Sequence, residues 1–329
     1  MTGFLVRRLL GGLIVLWVVS VLTFAIFFMA PGDPAVAYAG RAPSPAAIKA
    51  TEERLGLNEP IPVQYWRFVS GIFVGRDYVS GANVTHCPAP CLGYSFKTNE
   101  NVSELIGDRL PVTISIALGA AVLWLVAGVA AGVVSGVWPG SVWDRLAMVF
   151  ALAGVSLPIY FTALLSQQAV VYKWRWIPAI GYAGFRNNPL IWGRNLLLPW
   201  LCIAFLYAAL YARITRASMI ETMGEDYIRT ARAKGLRERR VVLKHGLRAG
   251  LTPIITLAGL DLGGLLGGAV IIEYVFGLPG IGKLAVDAIG GQNLPVILGV
   301  TLVAAAFIVV ANILVDILYV VVDPRVRLA

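Results

Sequence analysis

Apolar residues in this chain neither alternate nor recur at amphipathic helix spacing. They run on nearly unbroken at six places, at about residues 9–30, 112–137, 147–172, 197–217, 251–275 and 295–322. Crossing a hydrocarbon core as a helix takes roughly 20 apolar residues. Backbone groups in lipid must bond within their own segment, so runs of this length are expected to be helices. The pattern predicts an all-α polytopic membrane protein of six transmembrane helices. Residues 1–30 would hold an N-terminal segment and helix 1, residues 31–110 a large external loop or cap, and residues 111–329 a core with helices 2–6.

Composition agrees, because a chain of 329 residues that is 58% apolar and 14% charged is not an ordinary soluble domain. Charge then orients it. Arg7, Arg8, Arg145, ten basic residues at 213–248, Arg325 and Arg327 make fifteen on one side, against Lys173, Arg175, Arg186, Arg194 and Lys283 on the other. The positive-inside rule therefore places both termini in the cytoplasm. Residues 31–110 carry seven basic and eight acidic residues and do not vote, since long loops translocate largely regardless of charge. Arg7, Arg8, the first apolar run and AVA at 35–37 also mimic a secretory signal, but a run of about 21 residues exceeds the 7–15 of a signal core and fits a retained span.

Residues 213–248 hold ten Lys/Arg and four acids between two apolar runs. Within them, DYIRTARAKGLRERRVVLKHGLRAGLTP predicts a helix over 226–234, a break at Gly235, and a second helix up to Pro253. Such a loop is expected to grip something outside the membrane. Its less specific alternative is a solvated positive segment drawn to anionic lipid.

The loop at 31–110 mixes charge, Pro, Gly and aromatics, which predicts an ordered cap. Helical character extends over 45–57, and 61–73 is expected along the membrane surface with Tyr65, Trp66 and Phe68 at the interface. Cys87 and Cys91 would lie on the oxidising side, where a local disulfide is favoured over a metal site for which only His86 is at hand. Cys202, inside helix 4, is expected to be a buried apolar residue. NVT at Asn83 and NVS at Asn101 match glycosylation acceptors, motifs too short to carry weight.

Signals of chemistry are few. GLPGIGK at 277–283 has phosphate-loop spacing, but Leu284 stands where Ser or Thr would hold magnesium, so a tight turn or re-entrant bend is expected instead. No HExxH or GxSxG string occurs, and His86 and His245 are the only histidines. In helix 5, Gly259, Gly263 and Gly267 form one four-residue seam, and Gly264 and Gly268 another. Such seams admit close helix approach, either for packing within the chain or for a partner or passage. Asp261, on the Gly264/Gly268 side, and Glu273 join these residues as packing or pathway candidates. An acid in lipid is costly, so Asp261 is expected to face a cavity or a partner. Asn312, Asp316 and Tyr319 make a polar stripe, read as a hydrogen-bonded anchor before a proton relay.

DYIRTARAKGL followed by HGLRAGLTP resembles the cytoplasmic EAA loop of bacterial ABC importer permeases, in its dipeptide and oligopeptide form. The resemblance covers most of the chain: RRLLGGLIVLWVVSVLTFAIFFMAPGDPA at 7–35, LGLNEPIPVQYWRF, LGYS at 92–95, DRLPVTISIALG at 108–119, GVSLPIYF from Gly154, GGLLGGAVIIEYVFGLPGIGKL from Gly263, and DPRVR from Asp323. The pattern is similar to the B-type permease of a peptide importer. Two departures stand out. Arg229, Thr230 and Ala231 occupy the Glu-Ala-Ala positions, and residues 76–91 resemble an insertion.

The resemblance implies a non-enzymatic transport subunit in the bacterial inner membrane. Implied partners are a second permease, two cytoplasmic ATPases or one fused ATPase, an external binding protein and membrane lipid, with no nucleic acid. It implies no cofactor on this chain, ATP and magnesium being held by the ATPases. Asp226, Tyr227, Ile228, Arg229, Thr230, Ala231, Lys234, Gly235 and Leu236 would couple to the ATPase, with Tyr227, Ile228 and Ala231 as the docking face and Arg229, Arg232, Lys234 and Arg237 around it. Peptide is the expected cargo. A nickel complex, glutathione or an oligosaccharide on the same machinery is the first alternative. A proton-coupled transporter using Asp261 and Asp316 is the rival from another class, and an intramembrane enzyme the weakest.

Overall fold

The computed structural model describes residues 2–29, 44–55, 58–80, 83–177 and 181–322. The string at 35–37, the PGDP end of the first segment and the closing DPRVR lie outside them, as do residues 56–57 of the helix expected over 45–57. The chain forms α1 (Thr2–Met29), α2 (Pro45–Leu55) and α3 (Ile61–Val74), then a small sheet region, then the long α4 (Val102–Val137). After it come α5 (Val142–Ser156), α6 (Ile159–Ser166), a π-helical turn at Gln167–Lys173, and α7 (Pro189–Met223). The basic loop holds α8 (Asp226–Ala233), α9 (Glu238–Arg240), a π-helical turn at Val241–Gly246 and α10 (Leu247–Gly250). The remainder is α11 (Thr252–Leu266), α12 (Val270–Val275), α13 (Ile281–Gly290) and α14 (Leu294–Val322).

Four helices are long and apolar enough to cross a membrane, and two bent pairs raise the number to six when each is taken as one crossing. The first of those bends, and a separate break after α11, correct two expectations. The third segment is not one straight helix: α5 and α6 meet at 100°. Pro158 is the cause, since it holds Leu157 extended at φ −93° and ψ 125°. The fifth segment stops at Leu266 and resumes at Val270, with Gly268 at φ +134°, a conformation that costs glycine little.

Helix directions can be read from side-chain neighbours. Gly128 of α4 lies against Ala208 and Tyr211 of α7, and Gly136 against Arg216 and Met219, so α4 and α7 run parallel. The chain must therefore return between them to the end where α7 starts. The bent pair makes that return: Asp144 meets Arg216, Gly154 meets Phe205 and Ala209, and Ser166 meets Cys202. Gly263 and Gly267 of α11 face Ala311 and Ala304, which sets α11 antiparallel to α14. Gly12 of α1 faces Val309, and Arg8 pairs with Asp316 at 3.0 Å, so α1 is antiparallel to α14 as well.

The main core fills the space between α4, α6, α7, α11 and α12, around Ile116, Trp124, Leu196, Ile203, Tyr211 and Ile254. A second cluster joins the first turns of α4 (Val102, Leu105, Ile106) to α13 and α14. Caps fix where the long helices start. Asn188 accepts from Leu190 and Ile191 backbone N–H at 3.1 Å, with Pro189 in the first turn of α7. Ser141 accepts from Asp144 N–H at 3.1 Å to open α5.

The cap region departs from a purely helical description. β1 (Arg76–Ser80) pairs antiparallel with β2 (Asn83–Cys87), and β3 (Tyr94–Ser95) with β4 (Glu100–Asn101). Residues 76–91, the suspected insertion, are thus a β-hairpin followed by a Cys87–Cys91 disulfide with S–S at 2.06 Å. The amphipathic α3 uses its aromatics partly against α1 instead of lipid: Tyr65 hydrogen-bonds Ser20 at 2.7 Å, and Phe24 packs on Tyr65 and Phe68. Trp66 is 69% exposed.

Candidate functional site

The basic loop builds its own small core. Ile228 and Val241 are fully buried and Ala231 nearly so, with Met223 and Leu236 packed around them. This corrects the expected docking face, because Ile228 and Ala231 point into the loop and not out of it. The reason lies at Gly235, whose φ of +73° ends α8 and reverses the chain so that Val241 covers the apolar side. Lys234 falls just outside α8 as its cap. Gly235 N–H bonds Arg232 C=O at 2.9 Å and Leu236 N–H bonds Ala231 C=O at 3.4 Å, a glycine-terminated helix end.

What α8 presents outward is the opposite strip. Asp226, Tyr227, Arg229, Thr230 and Lys234 are all exposed, with the side chains of Asp226 and Arg229 at 97% and 75%. Thr230 Oγ1 donates to Asp226 C=O at 3.0 Å, and Arg229 approaches Asp226 at 3.7 Å. Arg232 donates Nε–H and Nη2–H, one edge of its guanidinium, to the two carboxylate oxygens of Glu238 at 3.1 and 2.7 Å, clipping α8 to α9. The hydrogen bond from Arg232 is the main reason the Glu238 carboxyl is held below its ordinary range. That clip therefore holds at neutral pH and is lost as pH falls through the lowered value.

Above the loop, a buried ion pair ties three helices. Asp144 of α5 is nearly inaccessible and accepts from Arg216 Nε at 2.6 Å and Nη2 at 3.0 Å, from Gly140 N–H at 2.7 Å, and from Ser135 of α4. Sequence reasoning missed it, although Ser141-x-x-Asp144 has the spacing of a helix-capping box. The small-residue seam of α4 was missed as well: Gly128, Gly132 and Gly136 all let α7 approach closely.

At the other end, Glu273 of α12 is completely buried. It accepts from Thr113 Oγ1 at 2.8 Å, Ala269 N–H at 3.3 Å and Lys283 N–H at 2.9 Å, while Thr113 Oγ1 accepts from Ile281 N–H at 2.9 Å. The phosphate-loop-like segment thus turns Lys283 N–H onto this carboxyl and Ile281 N–H onto the threonine hydroxyl that holds it. Glu273 is a packing anchor in this arrangement and does not line a passage.

The glycine seams separate. Gly259, Gly263 and Gly267 pack α11 on α14, which makes that seam intrachain. Gly264 faces open space, and Gly268 sits in the break against Gly282, so the second seam is not continuous. On the Gly264 side, Asp261 is half-buried and accepts from Tyr211 Oη at 2.6 Å. An uncompensated acid in lipid costs at least ~2.5 kcal/mol on insertion scales. Asp316 is paired with Arg8, as an anchor requires, and the Tyr319 side chain lies outside the described residues.

A polytopic helical bundle with an arginine-rich helical loop between α7 and α11 is the build of a transport permease subunit. Residues 1–117 match the family model of the binding-protein-dependent transport system membrane component, N-terminal part, and residues 128–328 that of the binding-protein-dependent transport system inner membrane component. The chain belongs to this family of ABC importer permeases. It is 38% identical over 327 residues to a putative peptide transport system permease protein of Brucella abortus, covering 99% of both chains. It is 35% identical over 327 residues, again 99% of both, to the glutathione transport system permease protein GsiC of Escherichia coli K12. Among solved structures, the inward-facing MetNI methionine ABC transporter is similar in fold, with a TM-score of 0.51 and 17% identity over 67% of this chain and 97% of that one. Membership sets aside the proton-coupled and enzymatic readings. It makes the chain a multi-pass inner-membrane component of an ABC importer.

Proposed function

We propose that this chain is one of two permeases in an ATP-driven importer of di- or oligopeptides, with both termini and the loop at 213–248 in the cytoplasm. The observation that carries the cargo class is the near full-length similarity to the Brucella peptide permease. Glutathione, itself a tripeptide, is the second reading, supported by the GsiC relative. In this scheme a binding protein delivers cargo to the sheet-bearing cap. Two ATPases, or one fused ATPase, hold ATP and magnesium and receive the exposed strip of α8 in a groove.

Coupling would run through rigid parts. The α8 helix is fixed to its loop by Ile228, Ala231 and Val241, and the loop joins α7 directly to α11. Arg216, near the end of α7, passes displacement to α4 and α5 through Asp144. A push on Tyr227, Arg229 and Thr230 is therefore a push on the helix pair α4/α7.

The test is uptake into proteoliposomes holding the importer, ATP inside and loaded binding protein outside. ATP-dependent accumulation of a labelled dipeptide supports the peptide reading, and accumulation of glutathione alone replaces it. Absence of both would sink the cargo assignment.

A further inference from the structure

Asp261 differs from the other buried or half-buried acids of the transmembrane core. Asp144 and Asp316 have arginines, and Glu273 has backbone N–H groups and a hydroxyl. Asp261 has one neutral donor, Tyr211, and no cationic partner among the described residues. It lies nine residues into α11 from Thr252, about 14 Å along the helix at ~1.5 Å per residue, in the middle reach of the bundle.

Its surroundings are aromatic. Trp124 stacks on Tyr207 with ring centroids 4.8 Å apart and sits 6.2 Å from Tyr211, whose hydroxyl holds the carboxylate. Trp124 is fully buried. The α11 face that carries Asp261 also carries Gly264, where an added side chain would meet nothing within 4 Å, and Asp261 itself is only partly buried. A partly buried carboxyl with an aromatic ring at its side is suited to an organic cation: the carboxyl supplies charge and hydrogen-bond acceptors, and Tyr207, the one partly accessible ring of the three, supplies a cation-stabilising face.

We propose that Asp261, with Tyr207 and Tyr211, forms a waypoint for the protonated amino group of the cargo during passage. This rests on the peptide reading above and sharpens it: cargo would be recognised inside the permease by its ammonium end. Tyr211 is a positioning residue that aims the carboxylate.

The test is equilibrium binding of a radiolabelled dipeptide and of its N-acetylated form to the assembled importer in nanodiscs, without binding protein, so that capture outside the membrane plays no part. Wild type is expected to bind the free-amine form at least tenfold more tightly than the acetylated one. Asp261→Asn is expected to bind both alike, and Asp261→Glu to keep the preference. Tyr211→Phe, which retains the charge, is expected to weaken the preference without abolishing it. Equal binding of both forms by wild type, binding of neither, or a preference that survives Asp261→Asn overturns the waypoint. Should Asp261→Asn fail to assemble, loss of preference in Asp261→Glu and in Tyr211→Phe would overturn it equally. Each of these results leaves the uptake experiment free to support peptide import on its own.

Discussion

The buried acids Glu273 and Asp144 are held in two different ways, and each predicts a different response to mutation. Glu273 is neutralised by a cage of donors, so truncation orphans them. Leaving a buried donor unmet costs about 1–3 kcal/mol, and Glu273→Ala is expected to lose about 3 kcal/mol in all, read as a lowered thermal unfolding midpoint of the purified protein. Glu273→Gln should lose less, since its carbonyl still accepts from one side; equal loss in both would show that the cage is not the source. Asp144 is instead paired with Arg216. Removing one partner of a buried pair leaves a charge stranded, at about 3–5 kcal/mol. Arg216 is 29% exposed, so Arg216→Met belongs at the low end. Adding Asp144→Asn to Arg216→Met should recover part of the loss, and a double-mutant cycle measured by detergent unfolding checks this. Strict additivity would deny the coupling.

At the scale of elements, the loop at 213–248 separates folding from docking along one short helix. Ala231→Arg would force a charge against Ile228 and Val241, so it is expected to unfold the loop and expose it to protease. Thr230→Arg, one residue away on the outer strip, should leave the proteolytic pattern unchanged yet abolish co-purification of the ATPases. If both variants behaved alike, the inward and outward faces would have been assigned wrongly. Gly235→Asp is milder than a blockade: nothing lies within 4 Å and Asp tolerates left-handed backbone, so about 1 kcal/mol of local strain is expected. This helix shows how far the sequence could be read. Its start, its length and the glycine stop were legible, because capping and φ constraints are local. Which face it buries was not, because an apolar stripe says that something covers it without saying what; here the cover is Val241, on the far side of the reversal. The broken crossings were legible in principle from Pro158 and from Gly267-Gly268, but the apolar runs concealed them: apolarity reports depth in lipid and carries no information about bending. The buried cage around Glu273 and the pair Asp144–Arg216 join residues far apart in the chain, and no local pattern reveals such partners.

For the molecule as a whole, helix directions and charge together support the proposed insertion. α1 and α11 run antiparallel to α14, α4 runs parallel to α7, and the bent pair α5/α6 carries the chain back between them, so the sheet-bearing cap and the basic loop lie at opposite ends. Packing alone is satisfied by either end facing outward. The excess of Lys and Arg in the loop, with Arg7 and Arg8 at the same end, supports the proposed orientation with the cap outside. The helix lengths fit: α4, at ~1.5 Å per residue over 36 residues, is about 54 Å long and exceeds a ~30 Å core. Its surplus at the cap end carries Glu104, Asp108 and Arg109, and the surplus of α7 at the loop end carries Arg213 and Arg216. Single cysteines test this against a quiet background, since Cys202 is buried and Cys87 is bonded to Cys91. Val84→Cys, on the exposed hairpin, is expected to react with a membrane-impermeant maleimide in intact spheroplasts. Arg229→Cys should react only after permeabilisation. The reverse pattern would invert the protein and remove α8 from any cytoplasmic ATPase, whereas labelling of both from one side would mean that the bent pair does not return the chain across the membrane.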